Sequence, residues 1–235
     1  MIKRCFIAAV PGFALALSLF LTATAQPPSS GDARSAAPID LEGYWISQVT
    51  EDWRWRMVVP AKGDYSSVPL NAEGIRVTEI WDPATADADW CLPYGAANVM
   101  RMPTRLRIRW TDANMLQIET DHGRQTREFH FDAQRAPAAP SRQGHSLAMW
   151  DGSALKVTTT DLLPGYLRRN GVPYSDSTQI TEYYNTHSAY GREGFTVTTI
   201  VHDPVYLADD FVTSTHFLRL NDRSDWNPTS CNEPE

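Results

Sequence analysis

RLRIRWTDANMLQIET, residues 105–120, decides how this chain is built. Arg105, Arg107 and Arg109 alternate with Leu106, Ile108 and Trp110, so an extended backbone sends the cations to one side and the apolar groups to the other. Thr111-Asp112-Ala113-Asn114 is turn chemistry, and Met115 to Thr120 resumes an extended run. The stretch predicts two antiparallel strands, with the arginine ladder on a solvated outer face and the apolar side in a core.

Outward from this pair the same signals recur. DHGR (121–124) turns into QTREFHFD (125–132). HSLAMW (145–150) and ALKVTTT (154–160) are joined by Asp151-Gly152-Ser153, a strong hairpin signal. STQITEYYNTH (177–187), FTVTTIVHD (195–203) and FVTSTHFLRL (211–220) are rich in Thr, Val, Tyr and Phe, and SAYGREG (188–194) turns the first into the second. Upstream, DLEGYWISQV (40–49) opens the domain. In TEDWRWRMVVP (50–60), Trp53 and Trp55 alternate with Arg54 and Arg56 and read as a strand with one aromatic and one cationic face. Only LNAEGIRVTEIWD (70–82) carries a helical pattern, with Asn71 as its cap and Ile75, Ile80 and Trp81 as its apolar edge. About nine or ten strands, antiparallel turns and one short helix predict an all-β chain forming a single antiparallel β-barrel. A β-sandwich is the alternative, because strand counting does not settle closure.

The N-terminus reads differently. Lys3 and Arg4 precede an apolar run from Phe6 to Leu21 that ends in Ala23-Thr24-Ala25, the pattern of a signal peptide over residues 1–25, cleaved before Gln26. Residues 26–38 are rich in Pro, Ser and Ala and read as a flexible leader, leaving 39–235 as one domain. The expected product is periplasmic or secreted, with no membrane attachment after cleavage. Loss of Lys3 and Arg4 takes the formal charge from −7 to −9. An acidic chain without a basic tract argues against nucleic acid as a partner. Cleavage also removes Cys5, and in an oxidising compartment the remaining Cys91 and Cys231 most simply form a disulfide. Oligomeric state is left open.

Gly43-Tyr44-Trp45 resembles the G-x-W that opens the first strand of lipocalin-like (calycin) barrels. A wider resemblance runs through Cys91-Leu92-Pro93-Tyr94-Gly95, Met100-Arg101-Met102-Pro103, Gly144-His145-Ser146 with Trp150-Asp151-Gly152, Val157-Thr158-Thr159-Thr160, Gly171-Val172-Pro173-Tyr174-Ser175 and Asp203-Pro204-Val205-Tyr206. In that order these are similar to a large, mostly uncharacterised family of exported bacterial proteins with C-x-P-x-G, GHS…W-x-G, G-x-P-[HY]-S and DP-x-Y motifs. Tyr174 stands where many of those relatives have His, and the family implies no established reaction. The chain also resembles, without a residue-by-residue match, secreted lyases that act on lignin-derived phenolic dimers.

Common catalytic signatures are missing: no G-x-S-x-G elbow, no phosphate loop and no dinucleotide fingerprint. The six histidines have no metal-ligand spacing, so neither a metal nor another cofactor is implied. What remains is titratable and aromatic. Arg56 reads as an oxyanion-stabilising cation, and His145 and Tyr174 as the groups that move a proton. Each also has a structural reading: a salt-bridged arginine, a histidine bonded to backbone, a packed tyrosine. Arg54, Trp53, Trp55, Tyr184, His187 and His202 are the expected ligand contacts, and Tyr183 and Tyr184 cannot both point inward. The expectation is an exported, cofactor-independent lyase or isomerase acting by acid/base chemistry on a small aromatic, phenolic compound inside the barrel. The alternative is a non-catalytic periplasmic carrier or sensor of a hydrophobic small molecule.

Overall fold

The computed structural model describes residues 31–84, 90–135, 139–189 and 191–231. The expected signal peptide (1–25) and the first residues of the leader (26–30) lie outside the described residues. From Asp32 onward the described residues belong to one compact unit.

The strands are β1 (Gly43–Gln48), β2 (Arg105–Asp112), β3 (Met115–Thr120), β4 (His122–Gly123), β5 (Thr126–His130), β6 (His145–Asp151), β7 (Ala154–Thr160), β8 (Gly165–Arg168), β9 (Val172–Tyr174), β10 (Gln179–Ala189), β11 (Arg192–His202), β12 (Phe211–Arg219) and β13 (Thr229–Ser230). Nine of them close a barrel in the order β1-β12-β11-β10-β7-β6-β5-β3-β2, with β1 also pairing β2. Closure excludes the sandwich. Within the barrel the expected antiparallel character holds with one exception: β5 and β6 run parallel, through Phe129 opposite Ser146.

The alternation of the 105–120 stretch sets the barrel wall. Leu106, Ile108, Leu116 and Ile118 are buried inside. Outside, the arginine ladder is bonded by the neighbouring strand: Arg107 donates to Glu119 at 2.6 and 2.7 Å, and Arg109 donates to Gln117 at 2.6 Å and lies 3.4 Å from Glu119. The interior is filled by buried side chains, including Trp45, Phe129, Leu155, Val157, Tyr184, Phe195, Val197 and Phe217. Trp45 donates its indole N–H to Leu41 O and lies under the Arg219 guanidinium.

One layer of the interior is charged. Arg127 and Glu182 form a bidentate pair at 2.9 and 2.7 Å with side chains only 1% and 0% exposed. Thr159 Oγ1 accepts from the same guanidinium and Tyr184 Oη donates to the carboxylate. Burial alone would lower the Arg127 pKa, but the charge of Glu182 more than reverses this, so the guanidinium is held protonated.

A second core caps one end of the barrel. Helix α2 (Ala72–Ile80) packs on β9, and the β8–β9 hairpin packs on the Leu92–Tyr94 turn and on α3 (Ala96–Val99). Asn71 caps α2 as expected, its side chain accepting from Gly74 N at 2.9 Å. Ile75 joins this core, whereas Ile80 is 65% exposed and drops out of the expected apolar edge.

Three expectations need correction. Residues 53–56 are not a strand but a one-turn helix, α1 (Trp53–Arg56). Asp52 takes a left-handed backbone (φ 52°), and its carbonyl accepts from Trp55 N and Arg56 N. Four alternating residues are too few to distinguish a strand from a turn whose ends are fixed by such local bonds. The leader is not wholly free either. Ala33 N bonds Asn114 Oδ1, Arg34 N bonds Ala113 O, and Ala33 O accepts from Trp150 Nε1, so the leader is tied to the barrel at Ala33 and Arg34. A single helix was expected, and α1 and α3 add two more. Among the described residues no helix is long and apolar enough to cross a membrane.

Cys91 and Cys231 lie at disulfide distance, with Cα atoms 5.1 Å apart. They tie the parallel β13–β4 pair to the turn before α3.

Candidate functional site

Four arginines meet beside this capped end, brought there by three separate elements. Trp55 and Arg56 come from α1. Asn98, Arg101 and Met102 come from α3 and the turn after it, and Arg168 and Arg169 from the end of β8. Together they line a cavity of about 10 Å³. Arg56, Arg101 and Arg168 are 4%, 4% and 2% exposed, an unusual degree of burial for guanidinium groups.

Each is held by only part of its hydrogen-bonding capacity. Arg56 Nε donates to Arg101 O at 2.7 Å, and its Nη1 is 3.9 Å from Glu51 Oε1. Arg101 Nη2 donates to Asp52 Oδ2 at 2.9 Å. Arg168 Nη1 donates to Asp64 O, and its Nη2 to Ser66 O and Ser67 Oγ. Arg56 Nη1, Arg56 Nη2, Arg101 Nη1 and Arg168 Nε are buried and have no hydrogen-bond partner among the described residues. Buried donors are nearly always satisfied, and an unpaired one costs about 1–3 kcal/mol, more when it is charged. Burial, reinforced by the charge of Arg101, pulls the Arg56 and Arg168 guanidiniums down to about 10. Both remain cationic at neutral pH. The arrangement favours an acceptor of negative charge at the cavity.

The segment between Asp52 and Ser67 covers the arginines, and both of these residues take left-handed backbone at φ 52° and 65°. Asp64 ties the segment down, accepting from Arg54 Nη2 at 2.8 Å and Trp55 Nε1 at 2.9 Å. Asn170 Nδ2 bonds Ala61 O and Asp64 O, and Arg169 Nη2 bonds Arg56 O. The guanidiniums of Arg54 and Arg168 lie 4.7 and 4.6 Å from the Trp55 ring centre. Outside, Trp53, Met57, Val58 and Val59 are each more than half exposed and form an apolar rim.

Of the residues singled out from the sequence, Arg56 and Trp55 enter this pocket, and Arg54 and Trp53 stand on its covering segment. The others lie elsewhere, so the expected set does not assemble around one cavity. His145 opens β6 on the face opposite the buried Ser146 and Ala148, and its ring stacks on His130 at 5.5 Å. Tyr174 is 1% exposed in the second core. A side chain at Gly95 or Gly165 would strike its ring, so both glycines leave it room. Burial pushes the Tyr174 phenol up to about 12, and its hydroxyl has no hydrogen-bond partner among the described residues. Tyr184 points inward, onto Glu182, while Tyr183 shares the outer face. His187 lies beside His216 on the outer face of β10 and β12, and His202 is exposed, 2.8 Å from Asp210.

Several motif residues have evident structural work. Buried Asp203 accepts from Ser175 N and Oγ, Thr178 Oγ1, Val205 N and Tyr206 N, which knits the GVPYS loop to DPVY. Among the described residues no group of three or more His, Cys, Asp or Glu side chains could hold a metal ion.

Arg101, Arg168, Arg169 and Asn98 were not identified from the sequence. Their signal was faint but present. Arg101 interrupts the apolar run Val99-Met100-Arg101-Met102, and Arg168-Arg169 follows Tyr166-Leu167 directly. One further pair is linked to Arg56: Glu51, 3.9 Å from it, accepts from Ser214 Oγ at 3.2 Å and lies 3.9 Å from His216 Nε2. His216 Nδ1 is in turn 2.8 Å from Thr196 Oγ1.

Comparison of the chain with protein-family models, curated proteins and solved structures found no match.

Proposed function

We propose that this protein is an exported binder of a small organic anion, an aromatic carboxylate or phenolate, whose charged oxygen is gripped by the arginine pocket. The observation that carries this reading is the convergence of Arg56, Arg101 and Arg168, each nine-tenths buried, with unpartnered N–H groups around one cavity. Guanidinium groups are suited to planar oxyanions because they offer paired donors and keep their charge. The small cavity takes the charged oxygen, and the ligand's ring lies outward against the apolar rim of Trp53 and Met57. The core-filled barrel acts as a rigid frame rather than as the container. In this reading the protein is a carrier or sensor.

A second reading, a cofactor-independent lyase or isomerase, is favoured by one observation. Glu51 stands 3.9 Å from Arg56, the cation that would stabilise an oxyanion, and His216 stands 3.9 Å from Glu51, a pair of residue types that can move protons. His145 and Tyr174 have no part in that scheme.

The two readings separate in one experiment. The purified protein is incubated with a panel of aromatic acids and phenols, and the bound and free compounds are identified by mass spectrometry. A carrier returns its ligand unchanged. An enzyme converts it, and Glu51→Gln then lowers turnover by roughly 10²–10⁴ while binding persists. Failure of every compound to bind, or binding unaffected by Arg56→Met, overturns the pocket assignment.

A further inference from the structure

Charge and size at the arginine pocket narrow what fills it when the organic ligand is away. Three buried guanidiniums, Arg56, Arg101 and Arg168, face two carboxylates, Glu51 and Asp52. Asp64 is matched by Arg54 at 2.8 Å and adds no net charge. Cations therefore outnumber carboxylates among these side chains. The cavity of about 10 Å³ has room for one atom-sized group and none for a tetrahedral oxyanion.

The lining arginines bring four buried donors without a partner among the described residues, both Nη atoms of Arg56, Nη1 of Arg101 and Nε of Arg168, against one such acceptor beside them, Glu51 Oε1 at 3.9 Å from Arg56 Nη1. A water accepts two hydrogen bonds and brings no charge. A halide accepts from donors on every side and supplies the missing charge. We propose that the pocket holds a single chloride ion as its resting occupant, and that the carboxylate or phenolate oxygen of the ligand displaces it. This rests on the reading that the pocket binds anions, and makes chloride a competitor of the organic ligand.

Two measurements test it. Crystals of the unaltered chain soaked in bromide are expected to give an anomalous peak inside the cavity, within hydrogen-bonding reach of Arg56 and Arg101. In solution, replacing fluoride by chloride at constant ionic strength raises the melting temperature by about 5–10 °C once chloride is ~100-fold above its Kd. Arg56→Met abolishes that rise, and chloride weakens the apparent affinity for 4-hydroxybenzoate in the unaltered chain. A cavity without bromide density, or an equal chloride effect in Arg56→Met, overturns the proposal. Should Arg56→Met fail to fold, the bromide map decides alone. Stabilisation by 4-hydroxybenzoate with no chloride competition removes the halide and leaves the anion pocket standing. Indifference to halide and carboxylate alike removes both.

Discussion

Replacing Glu182 by Gln tests the charged layer inside the barrel. The wild-type pair makes two bonds of 2.9 and 2.7 Å between side chains essentially sealed from water. Gln keeps the shape and one acceptor oxygen but leaves the Arg127 guanidinium without a counterion. Thr159 Oγ1 at 3.3 Å, the Phe129 ring at 4.9 Å and the Tyr184 hydroxyl also approach that charge, and none of them replaces the carboxylate. Breaking a buried pair in this way costs about 3–5 kcal/mol. In a domain of this size each kcal/mol lowers the melting temperature by about 2–4 °C, which gives a loss of about 6–20 °C. The double variant Arg127→Met/Glu182→Met removes both charges and should recover most of that loss, because the desolvation cost disappears with them. Thermal and urea unfolding followed by near-ultraviolet circular dichroism would read both variants. A Glu182→Gln protein within about 1 kcal/mol of wild type, or a double variant less stable than the single, would refute the reasoning.

Three other outcomes follow from the same geometry. Cys91→Ala/Cys231→Ala opens a loop of 140 residues and should lose about 4–5 kcal/mol by the chain-entropy argument, measured by urea denaturation under non-reducing conditions. Asp64, held down to about 2 by the Trp55 N–H and then by Arg54, has a folded pKa below its unfolded value. It therefore contributes stability above about pH 4 that is lost as pH falls toward 2, and Asp64→Asn should flatten the stability–pH curve in that window when melting is followed from pH 5 to 2. Tyr174→Phe removes a buried hydroxyl that has no partner among the described residues, so it should leave thermal stability unchanged or raise it by up to about 1 kcal/mol and leave ligand affinity as it was. A marked loss of affinity in Tyr174→Phe would restore the tyrosine to the site.

The barrel was legible because its evidence is local and repeated. Alternation in RLRIRW places Leu106 and Ile108 inside and Arg107 on Glu119 outside, and register follows once one face must be buried. The parallel β5–β6 contact was not legible, because the fourteen residues between those strands leave no turn to read. The inward charge pair had a signal: Glu182 shares parity with Ile180 and Tyr184, and Arg127 with Phe129. The arginine pocket was harder. Its members are spread over residues 55–169 and meet only because α1, α3 and the β8–β9 hairpin cap the same end of the barrel. Arg56 could be suspected beside its tryptophans, but its face could not be assigned while WRWR read as a strand. His145 and Tyr174 drew notice by residue type and motif, and those properties do not report which face a side chain occupies. The glycines beneath Tyr174 explain that motif by packing instead.

The central claim is that buried guanidinium N–H groups without partners among the described residues make this pocket an anion receptor. Isothermal titration of 4-hydroxybenzoate into wild type and into Arg56→Met, at equal ionic strength, tests it most directly. The account predicts one site per chain and a loss of roughly 10–100-fold in affinity for the variant, the worth of a hydrogen bond to a charged group. Equal affinities in the two proteins would contradict it.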